Sequence, residues 1–235
     1  MWVFPLVAAA VAFVFAVFLA RQYVERRRSP HLLWTIALLM YAAASLAVAI
    51  GALNGWSRLA FQVYWVFGAV LNVPFLAAGE LQLLVRNRTV EVAIDVVLVF
   101  LIAYSISVVQ GAAYDTVALA QDLPSGKHVF GVGTQAHQLP QLISIPSYLI
   151  LVVGALWSAW SMRNRPGLKD RFMGTLMIVL GATIIAGFGS AFAAAGNLAP
   201  FSVSLLIGIA VMFWGFLRAS KPTSVVPVPA SADSR

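Results

Sequence analysis

WVFPLVAAAVAFVFAVFLA occupies residues 2–20, and RQYVERRR follows it at residues 21–28. An uncharged, mostly apolar run of this length is close to the roughly 20 residues that a helix needs to cross the hydrocarbon core of a bilayer. The arginines trail the run and do not lead it, so the segment lacks the basic leading region of a secretory signal peptide. Basic residues on the trailing side hold that end in the cytoplasm. The stretch reads as a first membrane span whose N-terminus lies outside.

The same grammar repeats along the chain. Further apolar segments at about 32–53, 60–85, 92–111, 140–162, 172–194 and 200–218 bring the number of expected spans to seven. Connections 21–31, 86–91 and 163–171, with the tail from 219 and Arg218 at the end of the last span, carry thirteen of the fifteen Lys and Arg residues. The opposite connections carry only Arg58 and Lys127. The pattern predicts an all-α, polytopic protein of the plasma membrane with its N-terminus outside and its C-terminus in the cytoplasm. With an odd number of spans, spans 1–3 and 5–7 run in the same direction, as a parallel 3+1+3 arrangement would have them.

Composition bounds the partners. The chain is 61% hydrophobic and 10% charged, against roughly 25% charged in globular domains. A soluble fold of 235 residues cannot hide that much apolar surface; lipid accepts it. The net charge of +7 is explained by the one-sided basic loops, so nucleic acid is not an expected partner. Lipid is, with another membrane protein or a second copy of the chain as further expectations. There is no cysteine, which excludes disulfides and thiolate metal sites. No nucleophile–base set and no H-E-x-x-H spacing occurs, so no catalytic residue, cofactor or metal is expected.

Between the spans, Asn54-Gly55 and Gly196-Asn197 are turn dipeptides. Residues 112–139 form a long outer loop holding Asp115, Asp122, Lys127, His128 and His137; a loop of that length is either functional or a loose cover. The tail from Lys221, with Pro222, Pro227 and Pro229, is expected to be disordered. Two ladders of small residues, Ala43, Ala47 and Gly51 in span 2 and Ala182, Ala186, Ser190 and Ala194 in span 6, should face neighbouring helices. Trp2, Trp34, Trp56, Trp157, Trp160 and Trp214 sit near predicted boundaries, as an interfacial belt would.

Ionisable residues inside spans are functional candidates by default. Glu80 in span 3 and Asp95 in span 4 both fall a turn or so inside the cytoplasmic boundary, on either side of a short connection. Gln62 and Glu80 share one face of span 3, with Asn72 at its flank. These four residues form the expected intramembrane polar site, a carboxylate pair lining a cytoplasm-facing cavity. The competing reading is structural, with His31 or Arg171 as ion-pair partners. Pro74 and Pro146 each remove a backbone donor, leaving the Val70 or Leu142 carbonyl without its usual partner.

Comparison with known seven-span families narrows little. Microbial rhodopsins carry a Schiff-base Lys in the last helix, and residues 200–217 contain none. Pro140-Gln141 matches a dipeptide of SWEET-type sugar transporters, but spans 2 and 6 lack the prolines of that family. The stretches Tyr64–Leu71 and Gly174–Ala182, with the Arg-Arg-Arg-Ser-Pro-His run at 26–31, resemble seven-span integral membrane proteins of the actinobacterial type. That group has no assigned activity, so the resemblance implies class and not function. Two functions remain as expectations: a small-solute or ion-coupled transporter, or a sensor on the same plan, using the intramembrane carboxylates; or a non-catalytic subunit packed against a larger membrane complex.

Overall fold

The computed structural model of the chain describes residues 1–85, 87–165 and 167–220; the expected disordered tail from Lys221 lies outside the described residues. Among them there is no strand, and seven helices are long and apolar enough to cross a membrane. They run Val3–Glu25, Ser29–Asn54, Arg58–Leu84, Arg88–Gly111, Gln135–Met162, Lys169–Ala194 and Leu198–Ala219. Span 1 outruns the apolar stretch because nothing breaks the helix before Arg27, which adopts the left-handed conformation (φ 51°) and donates its N–H to the Tyr23 carbonyl. Span 2 opens with Pro30 in its first turn, where the missing N–H has no partner to lose. Asn87 accepts the Thr89 N–H at 2.9 Å and so caps span 4.

Six spans close a ring. Span 1 packs on 2, 2 on 3, 3 on 5, 5 on 6, 6 on 7, and 7 back on 1. Exchanging spans 1, 2 and 3 for 5, 6 and 7 maps each of these contacts onto another. Span 4 stands outside, against span 3 and the first turn of span 5. Only Leu98, Ser105 and Val109 of span 4 are buried. Lipid tails are as apolar as its valines, so an outer position costs it little.

Spans 6 and 7 meet backbone to backbone. Gly174 and Gly181 on one, and Gly208 and Gly215 on the other, are each seven residues apart, two helical turns on one face. A Cβ on Gly174 would collide with the Gly215 carbonyl oxygen, and one on Gly181 with that of Gly208. At the end of this seam Arg218 Nε donates to Asp170 Oδ1 at 2.9 Å. The expected ladder of span 6 is elsewhere. Ala182 is buried, but Ser190 and Ala194 are exposed, because the glycine row, not the alanine row, fixes which face meets span 7. In span 2 the ladder does pack: Ala47 and Gly51 are buried, and the Trp56 ring fills the space a Cβ on Gly51 would need.

Three spans locally widen into π-helical turns, at Tyr64–Leu71, Pro140–Ser144 and Ile184–Gly189. The first precedes Pro74. A proline there deprives the carbonyl four residues back, Val70, and in π register the one five back, Ala69. Both are served from span 5, where the Ser144 hydroxyl donates to Ala69 O at 2.6 Å and Val70 O at 3.0 Å. The proline defect thereby becomes a contact between spans 3 and 5.

The connection 112–139 is not a loose cover. It folds into short helices at Thr116–Leu119, Gly126–Val129 and Gln135–Leu139, with Leu123, Val129 and Leu139 almost fully buried. Span 3 pins it. Trp56 Nε1 donates to Asp122 O and Trp65 Nε1 to Ala136 O, both at 3.0 Å. Phe61, fully buried, stacks among Trp65, Tyr114 and Phe130. Gly126 lies against the face of Trp65, where no Cβ would fit. Trp56 is thus a core residue and not part of an interfacial belt. Trp34 is also turned inward, donating to Leu76 O at 3.0 Å over Gly79. Trp157, Trp160 and Trp214 are exposed on the outer surface.

Candidate functional site

The ring encloses two cavities that approach each other from opposite ends. One, of about 560 Å³, lies at the end of the Arg-rich connections and is lined by Glu80, Trp34, His31, Arg28 and Arg171 among others. The second, of about 430 Å³, lies beneath the folded loop and is lined by Asn72, Lys127, His137, Gln141 and Tyr148 among others. Both volumes fall in the range of small-molecule sites, roughly 300–1,000 Å³. All three π-helical turns contribute to the wall of the loop-end cavity, and such turns are frequent at functional positions.

The cavities share five lining residues: Leu38, Leu76, Leu151, Ala182 and Met212. Each comes from a different ring helix, spans 2, 3, 5, 6 and 7 in order. They make an apolar septum, and four of the five are buried. Dry constrictions of this kind block water and ions until their side chains separate.

The expected polar site is divided by this geometry. Glu80 is 5% exposed and projects toward span 5, where Gly154 makes room for it: a Cβ on Gly154 would sit 3.0 Å from Glu80 Cγ. Glu80 Oε1 has no hydrogen-bond partner among the described residues. Asp95 is not its neighbour. It is exposed on span 4 and accepts a 2.8 Å hydrogen bond from Gln82 Nε2. Residues 80 and 82 are about 200° apart around a helix, so one faces the ring interior and the other faces span 4. Asn72, 6% exposed, lines the loop-end cavity, across the septum from Glu80. Gln62 lines neither cavity; its Nε2 donates to Tyr114 Oη at 3.0 Å, and Tyr114 Oη donates to Val109 O at 2.7 Å, which ties the loop to spans 3 and 4. His31 and Arg171 share the basic-end cavity with Glu80. Among the described residues, no salt bridge joins Glu80 to Arg171; Arg88–Glu91 and Arg218–Asp170 are the pairs formed there.

Several functional groups escaped the sequence reading. The septum residues are ordinary Leu, Ala and Met, and only the meeting of five helices gives them a role. Gly154 is one glycine among seventeen. The seven-residue glycine spacing of spans 6 and 7, by contrast, is visible in the string of letters.

Compared with protein-family models, with curated proteins and with solved structures, the chain matches none. The functional argument therefore rests on the cavities alone.

Proposed function

We propose that this protein carries a small solute across the plasma membrane by opening its two cavities in turn, with Glu80 as the charge-bearing switch residue. The observation that carries this reading is the back-to-back pair of cavities, separated by one layer of apolar side chains from five helices. A non-transporting subunit has no need of two cavities aimed at each other. Glu80 fits the switch role because a buried carboxylate with one oxygen unserved gains from a proton or a cationic group arriving through the cavity. Gly154 lets that side chain sit between spans 3 and 5, so a change in its charge acts on the seam between them. The one-sided basic connections support a threading with the N-terminus outside, in which Glu80 lies on the cytoplasmic side of the septum.

The absence of cysteine makes the test direct. Ser190→Cys lies in the loop-end cavity and Ala155→Cys in the basic-end cavity. In sealed vesicles of known sidedness, an impermeant thiol reagent should modify each from one face of the membrane, and Glu80→Gln should shift the ratio of the two rates. If neither cysteine reacts until the protein is denatured, the bundle is sealed, and the subunit reading replaces transport. Threading is read by the same chemistry: Ser125 is buried under the loop, so on intact cells the exposed Val132→Cys should react and Asn164→Cys should not.

A further inference from the structure

We propose that the loop-end cavity is a binding site for a small organic anion with an apolar body, of the class of aryl or alkyl monocarboxylates. The inference rests on that cavity being the solute site of the transport reading and adds the chemistry of what it holds.

The charge pattern is the first argument. No Asp or Glu lines this cavity, whereas Lys127 and His137 do. Lys127 forms no salt bridge among the described residues. The acidic residues of the same loop are engaged elsewhere: Asp115 Oδ1 caps the helix it precedes, accepting the Val117 N–H at 2.8 Å and the Ala118 N–H at 3.1 Å. Asp122 is exposed and is held by its backbone carbonyl. His137 Nδ1 is buried with no hydrogen-bond partner among the described residues. A charged lysine over a low-dielectric pocket with no counter-ion is a site for an anion.

The lysine's position is built. Gly126 rests on Trp65, Trp65 is bonded to Ala136, and the short helix carrying Lys127 is fixed between these two contacts. The rest of the wall is mainly apolar and aromatic, with Tyr41, Tyr64, Trp65 and Phe201 prominent and Ser45, Gln141 and Ser190 as scattered neutral polar groups. Two of the polar groups there are already spent: Tyr41 Oη donates to Leu205 O at 2.9 Å, and the Ser144 hydroxyl serves span 3. The Asn72 amide, at the deep end next to the septum, makes no hydrogen bond to the described protein. A ligand with one anionic end and an otherwise apolar body meets all of this; a cation or a sugar meets little of it.

The cavity is thinly walled on one side. Spans 5 and 6 are tied by Tyr148 Oη and Thr183 Oγ1 at 2.8 Å, and beyond Thr183 span 6 leans mainly on span 7. Gly187, on the cavity wall, has nothing within 4 Å of where its Cβ would be. An acid dissolved in the aqueous phase and a fatty acid from the bilayer are therefore two sources of the same chemistry.

The test is equilibrium titration of the purified full-length chain, in a non-ionic detergent, with 3-phenylpropionate, decanoate, 3-phenylpropanol and 3-phenylpropylamine. Both acids should bind, the alcohol more weakly, and the amine least. Lys127→Gln should loosen acid binding by about tenfold or more and leave the alcohol unchanged, and that unchanged alcohol binding reports an intact cavity. Lys127→Arg should restore the acid. Whether decanoate or 3-phenylpropionate binds more tightly tells the bilayer source from the aqueous one, and either ranking supports the site. Amine binding as tight as acid, no binding of any probe, or a Lys127→Gln variant that binds acid as the wild type does would overturn it. Should the variant bind nothing at all, His137→Gln takes its place under the same criteria. Acid binding without uptake into proteoliposomes keeps this inference and sinks the transport reading; uptake of other solutes without acid binding does the reverse.

Discussion

Spans 4 and 7 are nearly the same length, 24 and 22 residues, and both pass for simple membrane helices. Yet 17% of the apolar window of span 4 is buried inside the protein, against 50% for span 7. Span 7 closes the ring, touching spans 1 and 6 and contributing Met212 to the septum. Span 4 leans on the outside, its exposed face made of residues such as Val96, Val99 and Phe100. The difference teaches that hydrophobic content identifies a membrane helix without locating it in the bundle. Span 7 carries two glycines at seven-residue spacing; span 4 has one, Gly111, at its very end, where a Cβ would meet nothing.

The largest effect should come from Gly208→Leu. Overpacking a core usually costs about 1–3 kcal/mol because side chains can yield. Here the added atoms meet the Gly181 carbonyl and Ile185, and the backbone of a packed helix yields poorly. We expect loss of the monodisperse folded species on size exclusion. Enlarging Val97, 54% exposed on span 4, by the substitution Val97→Leu should leave the melting curve unchanged. Equal tolerance at the two sites would erase the distinction between ring and outer helix.

Next is Ser144→Ala at the seam of spans 3 and 5. It removes the hydroxyl that serves the Ala69 and Val70 carbonyls and should lower stability by about 1–2 kcal/mol, the scale of an interhelical hydrogen bond in a membrane. Thermal unfolding in detergent measures it. A variant that melts with the wild type would mean that another donor reaches the carbonyls that Pro74 leaves bare.

The smallest effect belongs to the outer helix. Asp95→Asn keeps an acceptor for Gln82 Nε2 and changes the charge only at an exposed position. It should stay within about 0.5 kcal/mol of wild type. In the vesicle labelling assay it should also leave the cavities' relative accessibility as it was, whereas Glu80→Gln shifts it. A shift as large for Asp95→Asn would show that the two carboxylates act together after all, despite facing opposite sides of span 3.

The sequence made the spans readable because membrane thickness imposes a length, and runs such as residues 2–20 meet it. It made the loss at Val70 readable because a proline's defect is local. What answers that loss is not local: Ser144 stands 74 residues away, and nothing near Pro74 points to it. The same holds for the site. Glu80 stands out as an ionisable residue within an apolar run, and burial inside the ring agrees with that. Pairing it with Asp95 assumed that a short connection brings side chains together. A helix turns neighbouring positions to opposite sides, so the two ends of a connection are close while Glu80 and Asp95 are not. Gln62 was misplaced for a related reason: the residue that claims it, Tyr114, belongs to a loop whose fold no periodicity announced.

The glycine rows have a mechanical side. Where span 7 meets span 1, the ring of Phe15 lies 5.0 Å from that of Phe213 and 4.9 Å from that of Phe216, and sliding one helix along the other would mean lifting rings out of their seats. Where span 7 meets span 6, backbone approaches backbone at Gly174, Gly181, Gly208 and Gly215, with the unbranched Met212 and the Ile185 side chain lying beside the glycines and no ring set between the helices. One edge of span 7 is latched and the other is a bearing. A rearrangement that moves span 6 along that bearing leaves the phenylalanine rings seated, and it has to release the Arg218–Asp170 pair and the Tyr148–Thr183 bond.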